Sequence, residues 1–117
     1  MLFERAEELG RLIGQTNEAK ALRRAEEALR NDEAARGHLE KMQTVARAMD
    51  QAMARGEMPE EGAAQSYEQA VKEFELSPVG QGYIVARSNF EKVMAKVNEE
   101  MAKGIEKGAT SNIITLG

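Results

Sequence analysis

AARGHLEKMQTVARAMDQAMA (residues 34–54) places Ala35, Leu39, Met42, Ala46, Met49 and Met53 at an alternating spacing of four and three. VGQGYIVARSNFEKVMAKV (residues 79–97) repeats that spacing with Val79, Tyr83, Ala86, Phe90, Val93 and Val97. The alternation averages 3.5 residues, the period at which an apolar stripe stays on one side of a helix packed lengthwise against another. Neither stretch contains proline. Both read as long amphipathic helices, and the fold they predict is an all-α antiparallel bundle.

Working outward, three further helices and their boundaries follow from cap chemistry. A first helix over about residues 2–14 carries Leu2, Ala6, Leu9 and Ile13 on one face, with Gly14 as its terminator and Gly10 left for a close backbone approach. Thr16 caps a second helix over about 17–30, with Leu22, Ala25 and Leu29 inward. Asp32 caps the third, which Gly56 stops after about Arg55. Pro59-Glu60-Glu61 reads as the first turn of the fourth, whose inner face is Ala63, Tyr67, Ala70 and Phe74. Ser77-Pro78, a serine cap followed by proline, is the sharpest boundary and opens the fifth helix. That helix is expected to weaken at Gly104 and Gly108 and to end near residue 107, giving one helical domain over residues 1–108. Residues 109–117 read as a flexible C-terminal tail, in which Ile113-Ile114-Thr115-Leu116 is a candidate docking peptide.

The 117 residues suit a single domain, but much of their apolar content is alanine. An alanine-rich core buries modest area per residue, and small chains commonly make up the shortfall by self-association. A homodimer is therefore expected, with the third and fifth helices at its seam. Met42, Met49, Met53, Phe90, Val93, Val97 and Met101 are the expected dimer or partner interface. Methionine fits both roles, because it fills irregular gaps and serves surfaces that adapt to more than one partner.

Chemistry is signalled mainly by what is absent. There is no cysteine, which removes disulfides, thiolate metal sites and iron–sulfur ligation. His38 is the single histidine, and position 35, three before it, is Ala35, so the Glu-x-x-His signature of di-metal bundles is missing. His38 reads as a partly exposed helix residue rather than a base. Gly80 and Gly82 lack the strand and spacing of a phosphate-binding loop. Neither a catalytic residue, a metal nor a cofactor is expected, and the chain reads as a non-enzyme.

The net charge of −4 comes from interspersed signs. Lys20, Arg23, Arg24 and Arg30 gather on the second helix, but Glu18, Glu26 and Glu27 lie among them and no aromatic is near to stack a base. Direct nucleic-acid binding is not expected. No apolar run approaches the ~20 residues of a membrane span, and the N-terminus has no leader pattern; a cytoplasmic location is expected.

With the helices placed, the chain resembles the YlbF/YmcA family of small bacterial helical proteins. The likeness lies in Ala6-Glu7-Glu8-Leu9-Gly10-Arg11-Leu12-Ile13, the hydroxyl cap Thr16, and Ala25-Glu26-Glu27-Ala28-Leu29-Arg30-Asn31-Asp32-Glu33-Ala34. It resumes at Gly56 to Glu61 and at Ser77-Pro78-Val79, then at Ala86, Phe90 and Val97-Asn98, covering roughly residues 4–105. The resemblance implies a non-enzymatic regulator working through a protein partner. Some members join a third protein in a complex that affects competence, sporulation and biofilm formation and directs the endonuclease RNase Y in mRNA processing. Iron–sulfur clusters linked to that complex are held by cysteines, so this role does not carry over. The chain looks closest to the cysteine-free YheA-like branch.

Overall fold

The computed structural model describes the backbone of residues 1–116 and the side chains of residues 1–110. It holds five helices: α1 (Leu2–Gly14), α2 (Asn17–Arg30), α3 (Glu33–Ala54), α4 (Ala63–Leu76) and α5 (Pro78–Leu116). The expected caps form as hydrogen bonds. Thr16 Oγ1 accepts from the Ala19 N–H at 3.1 Å and donates to the Ile13 carbonyl at 2.7 Å, tying the end of α1 to the start of α2. Asp32 accepts from Ala35 N–H at 2.9 Å, and Ser77 Oγ from Gly80 N–H at 3.3 Å. Each satisfies an amide that the first helical turn leaves without a partner.

α3 closes with a left-handed Gly56 (φ 74°). The Glu57 N–H bonds back to the Ala52 carbonyl at 2.8 Å and the Gly56 N–H to that of Met53 at 3.0 Å, a paired closure of orphan carbonyls. One boundary departs from expectation. α4 begins at Ala63 rather than Pro59, because Gly62 adopts φ 84° and breaks any helix that proline would have started. α1 ends at Gly14 as expected; Gly14 is its last helical residue, without positive φ, and its carbonyl accepts from Arg23 Nη2 at 2.8 Å.

α5 also continues past residue 107 to Leu116. A helix-interior glycine costs only about 1 kcal/mol relative to alanine. Ala102, Lys103, Glu106 and Lys107 are good helix formers around Gly104 and Gly108, and Thr110 Oγ1 bonds back to the Glu106 carbonyl at 3.0 Å. The docking role given to Ile113–Leu116 lies outside the described side chains.

The pairing of helices sets the shape. α3 and α4 form a hairpin, while α2 lies along the first half of α5 and runs opposite to it. The end of α2 near Ala28 shares a groove with Pro78 and Val79, and its start at Glu18 shares one with Lys92 to Val97. The long helices α3 and α5 do not pack along one another within the chain. The two pairs meet at a hub in which Leu29, Ala35 and Phe74 are buried and Leu39, Met42, Val79 and Tyr83 pack around them. From this hub the α3–α4 hairpin and the C-terminal half of α5 extend as two limbs.

The result is thin, with extents of 62 × 39 × 19 Å. At 39 residues, α5 alone accounts for about 58 Å of the long axis. The short axis is about two helix diameters, too thin to enclose many large side chains. Ala19, Ala35, Ala52, Ala70 and Ala86 are buried where helices approach closely, and Leu29 and Phe74 are the large residues buried with them. The radius of gyration is 20.2 Å, against about 13 Å for a compact domain of this length.

Candidate protein-interaction surfaces

The polar chemistry of the molecule is almost entirely solvated. Lys96, Glu99, Glu100 and Lys103 form an exposed ladder on α5, with contacts of 3.2–3.8 Å. His38 on α3 faces Glu73 on α4, Nδ1 to Oε2 at 3.1 Å, with both side chains about one-third exposed. This contact bridges the hairpin and was invisible in the sequence, where the two residues lie on separate helices. His38 is the only histidine of the sequence, so no second imidazole can join it. Among the described residues, no three metal-ligating side chains come together. The melting midpoint should therefore be unchanged by EDTA; a clear drop would reveal a carboxylate site.

Arg23, one of the basic residues of α2, is engaged with the Gly14 carbonyl. None of the described helices is long and apolar enough to cross a membrane.

The residues expected at an interface divide between the hub and the two limbs. Met42 belongs to the hub, where it lines a cleft with Leu39, Val71, Phe74, Tyr83 and Ile84. Met49 lies farther out on the hairpin, in an open cleft of about 450 Å³ that it shares with Val45, Ala52, Met58 and Ala63. Met53 leaves the buried line, which passes through Ala52 instead, and is 65% exposed. Phe90, Val93 and Val97 are half-buried along α5. Val97 and Met101 converge with Leu9 of α1 around a shallow groove. Met42 and Met49 thus do not join Phe90, Val93, Val97 and Met101 in one continuous patch of a single chain.

Two contributors escaped the periodicity argument. Met58, 89% exposed, sits in the connector between α3 and α4, and the signal for it was an apolar residue inside an otherwise charged turn. The apolar face of α1 is the other: no residue of that helix is buried, and Leu2 is 73% exposed. Amphipathicity marked that face as inward, but none of the described residues covers it fully.

A family model described as "Control of competence regulator ComK, YlbF/YmcA" matches residues 2–106. Neither a curated protein nor a solved structure matches the chain.

Proposed function

This chain belongs to the YlbF/YmcA family, and from that premise we propose that it is a non-enzymatic, cytoplasmic adaptor that regulates by occupying a surface of another protein. The observation that carries this reading is the methionine-lined end of the α3–α4 hairpin. Met49 and Met58 line an open cleft there, and Met53 stands exposed on the adjoining turn of α3. Unbranched, polarisable side chains adapt to a partner's contours, and the single chain gives Met53 and Met58 little packing to do. In this reading the partner belongs to the mRNA-processing machinery around RNase Y, as the family resemblance implies. The absence of cysteine supports a place on the YheA-like side of the family.

Affinity capture of the tagged chain from its native cytoplasm, with and without RNase treatment, tests this. The expected result is a set of protein partners that survives RNase and is depleted on capture with Met58→Lys. At 89% exposure Met58 has no structural part in the chain, so the variant should keep wild-type helicity by circular dichroism. Loss of every partner on RNase treatment would instead favour an RNA-contacting factor. Undiminished capture by Met58→Lys would remove the hairpin end as the docking site.

A further inference from the structure

The methionine-lined cleft at the end of the α3–α4 hairpin has an acidic rim, and the rim specifies an occupant. We propose that the cleft receives a basic amphipathic helix of a partner protein, with its apolar face on the methionines and its Lys or Arg side chains against Glu60 and Glu61. The inference rests on the adaptor reading of this site and names the chemistry of the partner.

The form of the cleft selects a helix. It opens between the end of α3, the connector and the start of α4, with a volume of about 450 Å³. The backbone groups of α3 and α4 are bonded within the helices, so an extended peptide finds no sheet edge to join. Recognition has to come from side chains, and a helix supplies them from one face at i, i+3 or i+4, and i+7. Met49 and Met58 give that face a surface able to follow its contours.

Charge selects the sign. Arg55, Glu57, Glu60 and Glu61 are the charged residues that line the cleft. Arg55 Nε meets Glu57 Oε2 at 3.3 Å, which leaves that pair neutral. Glu60 and Glu61 are exposed, and among the described residues neither is engaged in an ion pair. Helix dipoles do not offset these two anions. The C-terminus of α3 and the N-terminus of α4 both lie at this end, where their opposite half-charges cancel, and the last turn of α3 carries no basic residue.

The same rim disfavours the other occupants. It repels a polyanion. A second copy seated here about a two-fold axis would set Glu60 and Glu61 against their own images. Lysines or arginines flanking an apolar helix face complete both the charge and the apolar contact.

Calorimetric titration of the full chain with a synthetic helix is the test. The probe has about 18 residues, or about 27 Å of helix, with leucines on one face and lysines beside them. Micromolar binding is expected, with the methyl NMR signals of Met49 and Met58 shifted and that of Met101, on the other limb, unmoved. The same helix with glutamates replacing the lysines should not bind. Glu60→Lys/Glu61→Lys should weaken binding roughly tenfold and keep wild-type helicity, because both residues lie outside the helices. Glu40→Lys/Glu75→Lys makes the same change of net charge at exposed positions beside the hub and should leave binding nearly unchanged at physiological ionic strength. No binding of the lysine helix, equal binding of both helices, or equal weakening by the two double variants overturns the proposal. So does a change in the protein's own sedimentation mass on Met58→Lys, which would place a second copy on the cleft. Native partners kept by Glu60→Lys/Glu61→Lys but lost by Met58→Lys would overturn the basic helix and leave the adaptor reading standing; partners kept by both variants would remove the site itself.

Discussion

Replacing Gly80 by alanine is expected to destabilise the protein by about 3 kcal/mol, the upper part of the range for overpacking a site that cannot relax. A Cβ built on Gly80 collides with the Phe74 carbonyl, coming within 2.9 Å of its carbon and 3.2 Å of Phe74 Cδ2. The colliding carbonyl is main chain near the end of α4, and Gly80 lies in the first turn of α5. Relief therefore requires the two helices to separate at the hub. Thermal unfolding followed by circular dichroism should show a midpoint lower by on the order of 10 °C. Gly82→Ala, two residues along the same helix, is the matched control. Its methyl meets nothing within 4 Å, so the gain in helix propensity should stabilise by about 0.5–1 kcal/mol. Opposite signs at the two positions establish the close approach; equal signs would refute it.

Phe74→Ala should be still more damaging, at about 3–5 kcal/mol. Phe74 is 2% exposed, and its ring meets that of Tyr83 edge-on, with centroids 6.2 Å apart and planes at 79°. It is also the point at which the α3–α4 hairpin joins the α2–α5 pair. In a thicker protein other large side chains would share the load, but here, among the described residues, the buried core cluster has only Leu29 and Ala35 beside it. Set against a typical total of about 5–15 kcal/mol, the loss should remove a large share of the chain's stability. Urea denaturation provides the measure. Phe74→Leu, nearer in volume, should cost less than half as much, and Tyr83→Phe, which keeps the ring, should leave the midpoint almost unmoved.

The legible parts of this fold were those decided within a few residues. Thr16, Asp32 and Ser77 each bond to an amide three positions ahead, so their spacing alone identified the helix starts. Gly56 at the end of α3 was readable for the same reason. Pro59 misled because its local preference was overridden by the left-handed Gly62 three residues later. Periodicity showed that α3 and α5 each have an inner face, but not which helix covers it; the 3.5-residue repeat is identical whether the neighbour is α4, α2 or another chain. Met53 shows the same limit, since the stripe includes it while the packing prefers Ala52. Of the candidate surfaces, the methionine content was visible at once. The division of those methionines and valines between two limbs depends on the pairing of α2 with α5, which spans most of the chain. Gly80 carried one cue in retrospect: a glycine two residues after a serine–proline helix start has no turn to serve, which points to something packed against it.

The hairpin inserted between α2 and α5 also orders how the chain reaches this structure. α3 and α4 are neighbours in sequence and need only the short connector over residues 55–62 to turn back on each other, so their encounter closes a small loop at little entropic cost. The α2–α5 pairing must bring together segments separated by that entire hairpin, and it is the most extensive pairing of helices in the chain. Rates of folding fall as the sequence separation of native contacts grows. A preformed hairpin removes much of that separation, because its two ends meet at Ala35 and Phe74, in the cluster that also holds Leu29 and Val79. The excursion that thins the molecule is thus also the clamp that shortens the search for the α2–α5 pairing.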